Sequence, residues 1–411
     1  MAEGRPAPGA WLRALGGAVG DAVAEGVARV EEMHRAIAGR TFAAVGPRAS
    51  PVRAAHDGIS AAVYAGVRGG AWVAGRAAGA VAALTPLAET DWPERPGVAV
   101  LQGAIGGALG DHVEARHPAL APRMAVRLAG RDVDADPESL VAAFPQAQPR
   151  VAVFLHGLCE TEAAWGRPAA DGDVPGTYGD RLRRHLGHSP VFLRYNSGLH
   201  ISENGRRLAG LLDRLVRGWP VEVEELVLIG HSMGGLVMRS ACADGEGRGL
   251  AWVARVRHCV YLGTPHDGAP LERAAGLAAW TLRRLPETRA LATAVERRSA
   301  GIRDLGHAYL RDEDWAGHDP ERPWADTGTP LPLLASARHH AIAATVGPTP
   351  GHLSSRLFGD TLVLHPSAVG RGRRGVPLPL AVEDCHHLGG HHHFALLDHP
   401  AVYERLRSWL A

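Results

Sequence analysis

The hydrophobic pattern changes character near residue 97. Between residues 11 and 84, Val23, Val27, Val30, Met33, Ile37 and Phe42 recur at three- to five-residue spacing with Arg and Glu between them, the period of amphipathic helices. Gly66 and Gly70, then Gly75 and Gly79, repeat a small-residue step that lets helix backbones approach closely, although glycine weakens an isolated helix. Helices of this composition need something to pack against. Pro86, Pro93 and Pro96 mark residues 85–97 as a linker. From residue 124 the pattern predicts strands at 124–128, 151–156, 190–195, 225–230, 256–263, 341–346 and 361–365, with a helix over 202–217. Strands alternating with helices predict an α/β fold whose largely parallel sheet is covered on both faces. Residues 270–338 break the rhythm and read as an insertion placed to cap a site. The chain thus divides into an N-terminal helical region and linker, 1–97, and a catalytic domain, 98–411.

Composition narrows the function. The 411 residues, 46% hydrophobic with a net charge of +1, hold 44 basic residues, all arginine, and no basic tract suggests a nucleic-acid groove. Cys159, Cys242, Cys259 and Cys385 lie far apart without a C-x-x-C pair, so neither a disulfide framework nor a zinc knuckle is indicated. The first 20 residues lack a basic segment leading into an apolar run, which makes a cytoplasmic location the default expectation. The longest membrane candidate, 61–84, is interrupted by Arg68 and Arg76 and reads as soluble or peripheral.

The chemistry centres on Gly230-His231-Ser232-Met233-Gly234, entered from the apolar run Leu226–Ile229 and followed by a helical pattern. A strand that turns sharply into a helix needs glycines around one exposed serine, the form of a nucleophile elbow. The helix that follows aims its N-terminus at the site, where free N–H groups favour an oxyanion. A serine nucleophile needs a base and an orienting acid, and Asp360 and His393 follow Ser232 in that order. Asp267, in Pro265-His266-Asp267-Gly268, is the rival acid; its turn setting suits an Asp that caps backbone N–H groups, which favours Asp360. The expected oxyanion donors are the N–H groups of Met233 and of Leu158, with Gly157 permitting the turn and His156 bracing it. The run Cys385-His386-His387 with His391 and His392 matches no familiar metal spacing and reads as a loop carrying one base, so neither metal nor cofactor is expected. His200 and the tryptophans Trp280, Trp315 and Trp324 read as packing residues more readily than as a substrate lining.

Five blocks, Phe154–Leu158, Gly230–Gly235, Leu262–Gly268, Gly359–Val363 and His393–Leu397, resemble the α/β-hydrolase superfamily, in the lipase and esterase branch that includes GPI inositol-deacylase-like proteins. The resemblance spans residues 150–411 and leaves the first third of the chain unexplained. It implies a Ser232-Asp360-His393 triad and hydrolysis of a carboxylic ester, lipid-like or otherwise hydrophobic. Thioesterase or acyltransferase chemistry on the same fold is the alternative, as is a non-catalytic helical interaction protein with a hydrolase scaffold. The expected partner is a small or lipid-like ester, with peripheral membrane or lipid-surface contact and a homo-oligomer left open.

Overall fold

A computed structural model describes residues 9–45, 50–85, 96–168, 176–269, 298–317, 328–371 and 377–411. Much of the expected insertion, including Trp280 and Trp324, lies outside the described residues. The strands are β1 (Ala125–Leu128), β2 (Arg131–Val133), β3 (Arg150–Leu155), β4 (His188–Arg194), β5 (Glu225–His231), β6 (Val256–Leu262), β7 (Arg338–Thr345) and β8 (Cys385–Gly389). They form one sheet in the order β2-β1-β4-β3-β5-β6-β7-β8. From β4 to β8 every pair is parallel, and the β1–β2 hairpin adds antiparallel to β4. This is the α/β architecture with a mostly parallel sheet that the pattern predicts.

Twelve described α-helices surround it. In chain order they are α1 (Ala10–Val45), α2 (Ser50–Ala82), α3 (Pro96–Arg116), α4 (Pro137–Ala143), α5 (Tyr178–Leu186), α6 (Ile201–Gly218), α7 (Met233–Gly247), α8 (Ala300–His307), α9 (Asp312–Trp315), α10 (Leu353–Phe358), α11 (His365–Ala368) and α12 (Pro400–Leu410). Side-chain alternation along the strands decides which helix covers which face. Val151, Val153 and Leu155 of β3, with Leu226 and Leu228 of β5, pack against α6 and α7. Ala152 and Phe154, with Val227 and Ile229, point the other way onto α5 and α12. Burying each such large side chain is worth about 1.5–3 kcal/mol, so both faces have to be covered.

Six expected strands form within three residues of their predicted limits. The seventh, 361–365, does not. Asp360 Oδ1 accepts the N–H groups of Leu362 and Val363 at 3.0 and 2.8 Å, Thr361 has a φ of 92°, and Pro366 opens α11. A side chain that captures its own following amides closes a turn and leaves nothing for a strand ladder. Conversely, the segment Cys385–Gly389, expected as loop, is strand β8, paired in parallel with β7.

The N-terminal helices α1 and α2 pack as a hairpin through glycines. A Cβ on Gly75 would meet the Gly16 carbonyl oxygen at 2.4 Å, and one on Gly79 the Leu12 carbonyl at 2.8 Å, whereas Gly66 and Gly70 have nothing within 4 Å. Nine residues separate Gly66 from Gly75, about two and a half turns, so the two glycine pairs lie on opposite faces. The close seam also displaces the expected apolar stripe: Val23 and Val30 are 49% and 58% exposed. The Met33, Ile37 and Phe42 side chains lie outside the described residues. Arg68 and Arg76, the interruptions in the apolar segment, turn to α1 and pair with Glu31 and with Asp21, the latter at 3.0 Å. No described helix is long and apolar enough to cross a membrane.

Gly75→Ala should therefore overpack the seam and cost about 1–3 kcal/mol, while Gly66→Ala should gain about 0.5–1 kcal/mol by helix propensity alone. Amide exchange of α1 and α2 in the full chain checks this; equal responses to the two substitutions would put the seam elsewhere.

Candidate active site

Strand register brings the two decisive loops together. Leu155 of β3 pairs with Gly230 of β5, and His231 with Leu262 of β6. The chain beyond Leu155 and the chain beyond Gly230 therefore leave the sheet side by side. Ser232 sits between β5 and α7 with φ 51° and ψ −123°, a conformation that few non-glycine residues adopt, and its N–H donates to the Leu262 carbonyl at 2.8 Å. A Cβ at Gly234 would lie 2.6 Å from the carbonyl oxygens of Leu155 and His156, which is why the turn admits no side chain there. Ser232 keeps 9% of its surface exposed in these otherwise closed surroundings.

The loop after β3 can be audited amide by amide. The Gly157 N–H donates to Glu160 Oε2 at 2.6 Å, the Cys159 N–H to Ser197 Oγ at 3.2 Å and the Glu160 N–H to the Gly157 carbonyl at 3.4 Å. Leu158 N–H is left with no protein acceptor among the described residues. Met233, first residue of α7, carries an N–H that has no partner within its own helix. The sequence names these two N–H groups as the expected oxyanion donors. His156 braces the loop as anticipated: Nδ1 donates to the Gly157 carbonyl at 2.8 Å, and Nε2 accepts the Tyr195 N–H at 3.3 Å. Its ring stacks on Tyr195 with centroids 4.2 Å apart, and the Tyr195 hydroxyl donates to the His156 carbonyl at 2.6 Å. Burial lowers the His156 pKa, in keeping with the neutral ring this bonding requires.

His393 and Asp360 are each 1% exposed, and His393 Nδ1 donates to Asp360 Oδ2 at 2.6 Å. The His393 N–H also donates to the Asp360 carbonyl at 2.8 Å, so backbone and side chain fix the ring together. His393 Nε2 has no partner among the described residues. The ring borders β6, because a Cβ on Gly263 would touch it at 2.9 Å. Asp267 sits in a different turn, where its N–H donates to Ser367 Oγ at 3.1 Å.

Two site residues went unassigned in the sequence. His231 Nδ1 lies 3.0 Å from Glu160 Oε2, the same oxygen that takes the Gly157 N–H. Burial by itself would raise the Glu160 carboxyl, but the His231 charge and hydrogen bond and the Gly157 amide outweigh it and hold the group down at about 2. Burial would likewise lower His231, yet Glu160, with the His393 backbone and Asp360 adding to it, raises it above the ordinary imidazole value. The spacing of Glu160 three residues after Gly157 was the available signal, and nothing in the sequence tied it to His231.

His200 is held in packing contacts. Its Nδ1 is 3.0 Å from buried Asp304, and its ring stacks 3.6 Å from Trp315, which joins α8 and α9 to the start of α6. Among the described residues no group of His, Cys, Asp or Glu is arranged to hold a metal.

Residues 207–283, from within α6 through β5, the elbow and β6, match the PGAP1-like alpha/beta domain. Comparison with curated proteins gave no match. Among solved structures, the chain is similar to the metagenomic carboxyl esterase MGS0156, with 15% identity over 76% of this chain and 94% of that one and a TM-score of 0.35. It is also similar to an alpha/beta hydrolase superfamily protein from Enterococcus faecalis, with 14% identity over 64% and 92% and a TM-score of 0.37. A lipase-esterase related protein from Clostridium acetobutylicum gives 14% identity over 64% and 95%, with a TM-score of 0.32. The chain thus carries a segment similar to the PGAP1-like alpha/beta domain around the strained turn at Ser232, within an α/β fold built on a mostly parallel eight-stranded sheet.

Proposed function

We propose that the chain hydrolyses carboxylic esters with a hydrophobic acyl or alkyl part through Ser232, His393 and Asp360. The observation that carries this reading is the buried 2.6 Å bond from His393 to Asp360, which orients a base whose Nε2 has no partner among the described residues, in the cluster around the elbow serine. Ser232 Oγ attacks the ester carbonyl carbon while His393 Nε2 takes its proton, and Asp360 stabilises the imidazolium. The carbonyl oxygen becomes an oxyanion facing the Leu158 and Met233 N–H groups, each such donor being worth about 2.7–4 kcal/mol. His393 returns the proton to the leaving alcohol, and water resolves the acyl-enzyme by the same route. No cofactor enters these steps.

The preference for hydrophobic esters draws on the N-terminal hairpin. Between Gly58 and Ala82 the only charged side chains of α2, Arg68 and Arg76, turn to α1, and Ile59, Val63, Val67, Val73 and Val81 stay half or more exposed. Large apolar surfaces of this kind mark interaction sites, and a lipid or emulsion surface that presents the ester is the occupant we propose.

Ser232→Ala should lower the turnover of p-nitrophenyl esters by about 10⁶-fold, as loss of a triad nucleophile does, and abolish fluorophosphonate labelling; near wild-type turnover would remove the elbow assignment. The ester panel should favour longer chains. Asp360→Asn should cost about 10⁴-fold through a mis-set histidine tautomer, with Asp267→Asn affecting stability alone. A rate loss confined to the Asp267 variant would move the acid there.

A further inference from the structure

Glu160 and His231 occupy the space behind the oxyanion loop, and no step of the ester mechanism uses them. A Cβ on Gly157 would meet Glu160 Oε2 at 3.0 Å, Ser232 Cβ at 3.0 Å and His231 Nδ1 at 3.2 Å, so the carboxylate, the nucleophile and the imidazole converge on one glycine. On its other side the His231 ring lies 4.7 Å from the His393 ring. α3 closes the loop from outside: a Cβ on Gly103 would strike the Cys159 and Glu160 carbonyls at 3.0 Å. Glu160 is therefore pinned on every side, with its side chain 11% exposed and that of His231 1% exposed.

We propose that Glu160 and His231 are positioning residues: as a carboxylate–imidazolium pair they lock the oxyanion loop to the nucleophile turn and to the loop of the base. The proposal rests on the ester-hydrolase reading of the same site. Its logic is electrostatic. A bare carboxylate directly behind the oxyanion donors would oppose the negative charge that develops there, and a bare imidazolium beside His393 would oppose protonation of the base. Joined, the two charges cancel and the geometry remains. By holding the Gly157 N–H, Glu160 also turns that amide away from the site and leaves Leu158 as the donor.

The charged and titratable groups facing the pair are few. They are His156 and the Tyr195 hydroxyl beside Glu160, with Glu162 and Arg194 behind His156, and Asp360 and His393 beside His231. The charges toward the C-terminal end of α3 are engaged elsewhere, Asp111 with the Ala300 N–H and Glu114 with Arg207 and Asn196. With its pKa raised, His231 contributes stability that is present below its unfolded-state value and is lost as pH rises through its folded value. Glu160, lowered to about 2, contributes above its unfolded value and loses that contribution only in strong acid. The pair therefore weakens as pH rises through the folded value of His231, which lies above the ordinary imidazole value.

The test compares E160Q, H231N, the double variant and E160D in the full-length protein, using kcat and KM on one p-nitrophenyl ester across pH, with thermal unfolding alongside. E160Q should lower kcat by about 10-fold or more with KM little changed, short of the about 10²–10³-fold cost of losing an oxyanion donor outright. Its alkaline limb should shift to lower pH because His231 has lost the carboxylate that holds its proton. E160D should restore part of the rate. The double variant should be no slower than either single variant, the signature of two residues acting as one unit. Wild-type kcat and pH profile in E160Q, or losses that add in the double variant and track the unfolding temperature, would overturn the pairing role while Ser232-dependent hydrolysis stood. Absence of ester hydrolysis and of Ser232 labelling in the wild type would instead overturn the hydrolase reading and this role with it.

Discussion

The parallel register of β3 against β5 is the constraint on which the site depends. Because Leu155 is held opposite Gly230, the chain leaves both strands at the same level and the loop from 156 to 160 is stacked against the elbow. A slip of one residue would reverse every side chain along β5, exchanging Leu226 and Leu228 with Val227 and Ile229 between the two cores. The apolar packing that stabilises the sheet is thus also what keeps the serine and the loop from 156 to 160 in line. Precision at the site comes from the core below it and from few polar contacts of its own.

The polar contacts that do exist finish what register begins. Three of the four amides of the loop 157–160 are consumed by Glu160, Ser197 and the Gly157 carbonyl, and the fourth is left over. One unpaired N–H on the half-buried Leu158, beside a strained serine, is informative. His393 offers the same lesson: one nitrogen and its own backbone are committed to Asp360, and the other nitrogen is uncommitted.

How far the sequence foretold this depended on the range of the interactions. Local signals were legible. The elbow glycines, the buried strands and the turn at Gly359-Asp360 announce themselves within a few residues, since each follows from backbone sterics or from alternation. The exception among strands is instructive, for Asp360 bonds to Leu362 and Val363 and so uses amides that an apolar run such as Thr361–Leu364 would offer a neighbour. β8 was hidden because its histidines read as loop chemistry, and only pairing with β7 reveals it. The Glu160–His231 contact spans 71 residues, and the facing of Arg68 toward Glu31 spans 37; no period or motif encodes either. In the hairpin the glycine spacing was visible, but which of the two glycine pairs α1 would choose was not.

Helix α3 has a consequence for the order in which the molecule assembles. α1 and α2 are neighbours in sequence, and their seam forms from contacts available as soon as both have been synthesised. α3 comes next, and besides the adjacent turn at Pro118–Leu120 it has remote partners: Gly103 packs on Glu160, Asn196 donates to the Gly110 carbonyl across 86 residues, and Ser299 donates to the Gly107 carbonyl across 192. Contacts so far apart in the chain form slowly, because loop closure must precede them. The helix that backs the loop from 156 to 160 is therefore made well before the partners that hold it, and the loop acquires its final shape only once Ser299, 192 residues beyond Gly107, folds back onto that helix.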